Sequence, residues 1–177
     1  FGGATLTQDL MRGLAVPYKE AQRAKEHHSH AFAQMVDPRE TVDLPGPSPN
    51  QMRSVACELI AHIVEQRLDE MFGIIQGELQ DHGVAEKLGA GIVLSGGSAS
   101  IPGITELAQQ IFAAPVRLGV PAEGLGGIAD VVARPRFTVG AGLALWGADR
   151  FAETGRGAST RASGIVTRLG VWLKEFF

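Results

Sequence analysis

The residues with the most capacity for chemistry lie in a run of small side chains at 95–103, SGGSASIPG, between a short apolar stretch and an apolar-periodic one. Such a strand-to-helix turn can aim several backbone N–H groups at one point and so hold a phosphate or a nucleotide. Glycines there let a ligand approach the main chain closely, because no Cβ intervenes. The same composition also serves purely steric ends where a strand meets a helix, so the turn alone leaves both readings open. A second group is His27, His28, His30, His62 and His82. The first three crowd one helix end, and no Cys or carboxylate falls at ligand spacing with them along the chain, so no metal site is expected. They suit a helix C-terminus, where the dipole favours cationic side chains. Cys57 is the single cysteine, which excludes an internal disulfide and, among apolar neighbours, marks a buried thiol of a reducing compartment. No residue is singled out as catalytic.

The elements that must position these groups are legible from periodicity. Residues 4–14 (ATLTQDLMRGL) and 17–28 read as two short helices, the first with Thr7 as N-cap and Leu10, Met11 and Leu14 on one face, the second with Pro17 in its first turn. Residues 32–44 alternate loosely, and Asp37-Pro38 predicts a turn between two short strands. The run PGPSP at 45–49 is a stiff break. From 50 to about 80, Met52, Val55, Ala56, Leu59, Ile60, Ile63, Val64, Leu68, Met71, Phe72, Ile75 and Leu79 keep a helical stripe, with Arg53 and Arg67 among the charges between them, and Gly83 ends the element. Residues 89–94 predict a strand buried on both faces, 104–112 a helix, 115–120 a further strand, 123–127 a Gly-rich turn, and 137–147 a helix of small residues.

With 177 residues, 45% of them hydrophobic and 20% charged, the chain is long enough for one good core or two small ones. A formal charge of −3 gives no support to nucleic-acid binding. Residues 152–163 contain no large apolar side chain and predict a flexible linker. Beyond it, Ile165, Val166, Leu169, Trp172, Leu173 and Phe176 share one face of a 3.6-residue period, with Phe177 closing the chain and Arg168 and Lys174 off that face. The segment is shorter than the roughly 20 apolar residues that a membrane span needs. It predicts instead an amphipathic helix lying on an anionic membrane surface. One copy binds weakly in that mode, so stable attachment points to self-association. The chain starts at Phe1 without an initiator Met, as expected of a piece of something longer.

Three segments taken in order, GAGIVLSGGSASIPGI at 89–104, APVRLGVP at 114–121 and RPRFTVGAGLALWG at 134–147, resemble the closing half of the actin-like ATPases. Within that superfamily the chain is most similar to the FtsA family of bacterial cell-division proteins, because GGATLTQDL at 2–10 matches that family's helix start and a terminal amphipathic helix follows a polar linker. The resemblance implies an α/β fold, the C-terminal half of an actin-like (ribonuclease-H-like) ATPase, with the C-terminal amphipathic helix appended. Residues 1–31 and 84–151 would form part of the nucleotide-binding subdomain, 32–83 a smaller inserted lobe, 152–163 the linker and 164–177 the membrane-targeting helix.

The resemblance also implies roles. ATP would be the cofactor, with Gly96, Gly97 and Ser98 under the adenosine, Ile101 beside the base, and Gly2 and Gly3 at the facing helix start. EAQRAK at 20–25 matches the family's ribose-contacting helix, bringing in Gln22 and Lys25, although Gln22 stands where the family has Glu and so keeps an acceptor without the charge. The phosphate loops and the acidic residues that hold Mg²⁺ would lie upstream of Phe1, leaving at most weak ATPase activity to a longer protein and none to this chain alone. Arg53 and Arg67 match basic positions at the face that meets the C-terminal peptide of FtsZ. Ile165, Arg168, Leu169, Trp172, Leu173, Lys174, Phe176 and Phe177 would touch the membrane, at the cytoplasmic face of the inner membrane at the division site, alongside other division proteins and further copies in filaments. The competing expectation is a fragment of a sugar-kinase-type phosphotransferase from the same superfamily.

Overall fold

A computed structural model describes residues 2–46, 48, 51–121 and 129–154. The predicted Gly-rich turn at 123–127, most of the linker and the whole amphipathic segment therefore lie outside the described residues.

Helices α1 (Gly3–Gly13) and α2 (Tyr18–His28) form where periodicity places them. Leu6, Leu10 and Leu14 project from one side of α1 into the core, each about 1% exposed or less. Gly2, not Thr7, caps α1. Thr7 sits a full turn inside the helix, wholly buried, with its hydroxyl 3.0 Å from the Gly3 carbonyl. Threonine can make that bond four residues back along a helix, so a residue type favoured at caps misplaces the boundary here.

The next region departs further from expectation. Residues Ala33–Met35 make a single 3₁₀ turn, and one strand follows, β1 (Thr41–Pro45). Its partner β2 (Met52–Ala56) occupies what the helical stripe assigned to the start of the long helix. The two pair antiparallel, with Val42 opposite Val55 and Leu44 opposite Arg53. Helix α3 (Cys57–Asp81) then runs to Gly83, whose φ of +61° ends it as anticipated. Met52, Val55 and Ala56 fit either period, and only the pairing across the 45–49 break decides for a strand.

Strand β3 (Ile92–Leu94) pairs in parallel with β4 (Val116–Leu118) through α4 (Ile104–Phe112), a βαβ crossover. The expectation that β3 is buried on both faces fails here, since Val93 is 49% exposed. A short α5 (Ala129–Val132) and a 3₁₀ turn at Pro135–Phe137 lead into α6 (Thr138–Thr154), which continues past Gly147 and into the first three residues assigned to the linker. One continuous apolar core joins α1, α2, the hairpin, α3, α4 and β4, running from Leu6 to Val116. At its centre the rings of Phe72 and Phe112 meet at 5.5 Å, tying α3 to α4.

Candidate functional site

A pocket of about 630 Å³ opens where the start of α1, the polar side of α2, the Ser-Gly-Gly turn and the loop before α6 converge. Four regions far apart in sequence supply its wall, among them Gly3, Gln22, Lys25, Gly97, Ser98 and Arg134. Its volume lies within the range that holds a nucleoside-sized ligand.

The turn is held by backbone bonds. Gly119 N–H donates to the Leu94 carbonyl at 2.7 Å, closing the β3–β4 ladder, and the Thr138 hydroxyl at the start of α6 donates to the Gly119 carbonyl at 2.9 Å. Gly96 N–H donates to the Pro135 carbonyl at 2.9 Å, which fixes the turn against the loop carrying Arg134 and Arg136. Gly96 has φ +94°, a conformation that requires glycine. Gly97 is different: its φ is ordinary, and a Cβ built there meets nothing within 4 Å. Neither conformation nor packing within the described residues demands a glycine at 97, which is the situation expected where a ligand comes close to the main chain. Gly3 is constrained by its neighbours, since a Cβ there would lie 2.5 Å from Ser98 Oγ and 3.4 Å from Lys25 Nζ. The start of α1 and the Ser-Gly-Gly turn are thus in direct contact.

Lys25 is the hub of the floor. Its ammonium donates to the Gly3 carbonyl at 2.9 Å, to Thr7 Oγ1 at 2.9 Å and to Gln22 Oε1 at 3.0 Å, using all three of its donors. Burial lowers its pKa, partly offset by the nearby Glu26 carboxylate. Gln22 Oε1 also lies 2.7 Å from the Thr7 hydroxyl, and its amide nitrogen donates to Glu26. Lys25 and Gln22, both expected to contact ligand, here bind each other and the start of α1, so their first effect is to shape the pocket. Ile101 is only 7% exposed and belongs mainly to the core, with one edge at the pocket wall. Gly2 stands as the cap of α1, just outside the lining.

Arg134 and Arg136 are lining residues to which sequence reasoning gave no role. Arg136 is steadied over the Phe137 ring at 4.6 Å. With Lys25 they give the pocket three cationic groups against one carboxylate, Glu26. That balance suits an anionic ligand, and a single carboxylate offers no cage for a hard divalent cation at this pocket. The signal was present in the sequence as Arg-Pro-Arg ahead of a small-residue helix, but nothing local says which way those arginines face.

The two arginines expected to meet a partner are engaged within the chain. Arg53 lies on β2, not on the long helix, and its guanidinium donates to the carbonyl of Leu14, at the end of α1 where a cation is favoured. Arg67 on α3 forks onto both oxygens of Asp9 on α1, with Nη2 to Oδ1 at 3.0 Å, and its third nitrogen reaches the exposed Glu70.

A family model described as cell division protein FtsA matches residues 1–142. The cell division protein FtsA of Pseudomonas aeruginosa is 35% identical over 186 residues, an alignment that covers 99% of this chain and 44% of that protein. The Neisseria meningitidis protein of the same description is 40% identical over 143 residues, covering 80% of this chain and 34% of its own length. The Escherichia coli K12 protein of that description is 28% identical over 188 residues, covering all of this chain and 44% of its own length. The chain thus spans less than half the length of these curated relatives.

Proposed function

The chain belongs to the FtsA family of cell-division proteins, and from that premise we propose that it supplies the adenosine-holding part of an ATP-binding scaffold that tethers FtsZ filaments to the cytoplasmic face of the inner membrane. Membership places it in cell division, and its mixed helices and parallel β3–β4 pair fit an actin-like α/β fold. It also removes the reason to favour a sugar-kinase-type phosphotransferase.

The observation that supports nucleotide binding most directly is Gly97, open on the ligand side of a turn whose other contacts are fixed. In this reading the adenosine lies over Gly96, Gly97 and Ser98, with Ile101 at the edge of the base. Gln22 and Lys25 keep α1 and α2 at the right separation, and Arg134 and Arg136 supply positive potential. FtsZ binding is proposed for the face around β2 and α3. An acidic peptide there would compete with exposed Glu70 for Arg67, while the Asp9 fork keeps the guanidinium oriented. Membrane attachment is proposed for residues 164–177, and self-association for the assembled scaffold.

The test is Gly97→Val, read by binding of ATP and ADP in the presence of Mg²⁺. The new side chain projects into open space, so thermal stability should be unchanged while affinity falls by about tenfold or more through occlusion of the pocket. Equal affinity in the two proteins would place the nucleotide elsewhere and overturn the assignment.

A further inference from the structure

Away from the pocket, at the far end of α2, the fold brings together three residues that sequence spacing kept apart. His28 is the last residue of α2, Glu40 immediately precedes β1, and Cys57 is the first residue of α3. The Cys57 N–H donates to the Glu40 carbonyl at 2.9 Å, so the hairpin itself sets Glu40 beside the thiol. Cys57 Sγ lies 3.8 Å from His28 Nδ1, and that same nitrogen lies 3.9 Å from Glu40 Oε1. One ligand atom from each residue falls within 4.8 Å of the other two.

We propose that His28, Glu40 and Cys57 form a binding site for one zinc-type divalent cation, with its fourth position open to water. The separations carry the argument. At 3.9 Å the imidazole and carboxylate are beyond hydrogen-bonding range, and the sulfur contact is long. Tetrahedral zinc, with bonds of about 2.3 Å to sulfur and about 2.0–2.1 Å to nitrogen, sets those two ligands roughly 3.5 Å apart. The nitrogen and sulfur then need close by only a few tenths of an ångström and the nitrogen and carboxylate oxygen by roughly half an ångström, within reach of side-chain rotation at half-exposed Glu40, to make three legs of a tetrahedron.

The donor set agrees. A thiolate, an imidazole and a carboxylate are the ligands that zinc shares across its protein sites, whereas hard cations prefer all-oxygen cages. Thiolate and carboxylate together carry two negative charges and the imidazole none, so a divalent ion leaves the cluster neutral. Without an ion, burial and the adjacent Glu40 raise the thiol pKa and keep Cys57 protonated, so metal entry would release that proton. Cys57 is buried while the Glu40 side chain remains about half exposed, which provides a route in from solvent. An ion bound there would link α2, which carries Gln22 and Lys25 in the pocket, to the hairpin and α3.

Titration of the chain with Co²⁺ tests this, because a thiolate–cobalt bond gives a near-ultraviolet charge-transfer band and tetrahedral cobalt gives visible bands. One equivalent should develop both, and Zn²⁺ should displace it. His28→Ala and Glu40→Gln, at partly and largely exposed positions that leave the core intact, should each weaken cobalt by about tenfold or more. Cys57→Ser should abolish the charge-transfer band. Absence of that band in the unaltered chain, or a band indifferent to both His28→Ala and Glu40→Gln, would overturn the site and leave a thiol–imidazole contact only.

Discussion

Gly3 shows how much of the site depends on single atoms. The Cβ of an alanine there would fall 2.5 Å from Ser98 Oγ, closer than real Cβ contacts allow, and 3.4 Å from Lys25 Nζ. Gly3→Ala should therefore drive Ser98 Oγ into another rotamer or press the Ser-Gly-Gly turn away from α1, costing about 0.5–1.5 kcal/mol despite alanine's better helix propensity. Ser98→Ala removes the offending oxygen and leaves Ser98 Cβ 3.9 Å from the same point, so the double variant should recover most of the lost stability. A thermodynamic cycle on the four proteins by urea unfolding measures that coupling. Additive losses would mean that the two segments do not touch in solution. The sequence made the Gly2-Gly3 pair and the Ser-Gly-Gly turn conspicuous separately. Their mutual contact, and the engagement of Lys25 with three acceptors, needed the fold, because residues 3, 25 and 98 share no local pattern.

Among the elements, α4 was legible to the residue and the start of α3 was not, for a physical reason. The Ile104, Leu107, Ala108 and Phe112 stripe keeps the helical period from just after Gly103 to just before the turn at Ala113, so the local pattern spans α4. At 52–56, local rules fit two answers, and pairing with β1, seven to fifteen residues back along the chain, chose between them. The two answers differ in what they bury. A helix would put Met52 and Val55 on one apolar face, whereas in the hairpin Val55 is inside at 6% exposure and Met52 outside at 60%. Met52→Ala should accordingly change stability by less than about 0.5 kcal/mol, and Val55→Ala should cost about 1–3 kcal/mol. Comparable losses at both positions, measured by urea unfolding, would restore the helix reading. The same long-range pairing places Arg53 beside Leu44 and aims it at the end of α1, which explains why a position expected on a helix face became a helix cap.

At the scale of the whole molecule, the chain's described core lies between Leu6 and Val116, and α6 leaves Val139, Leu143 and Trp146 largely exposed. No helix among the described residues is long and apolar enough to cross a bilayer, and the proposed attachment falls on the sequence beyond α6. The proposal rests on the periodicity of Ile165, Leu169, Trp172, Leu173 and Phe176, which in an interfacial helix would leave Arg168 and Lys174 to meet anionic headgroups. Co-sedimentation with vesicles containing anionic lipid should pellet the intact chain and leave one ending at Ala162 in solution. Added salt should reduce the pelleted fraction, because screening weakens the basic contribution and spares the apolar one. Trp172→Glu with Phe176→Glu should release the chain without lowering its unfolding temperature, which is the outcome that separates an interfacial face from a core one. If the truncated chain still pellets, the exposed face of α6 becomes the membrane contact. If truncation instead lowers the unfolding temperature by several degrees, residues 164–177 pack on the domain, and anchoring would have to come from another part of the assembly.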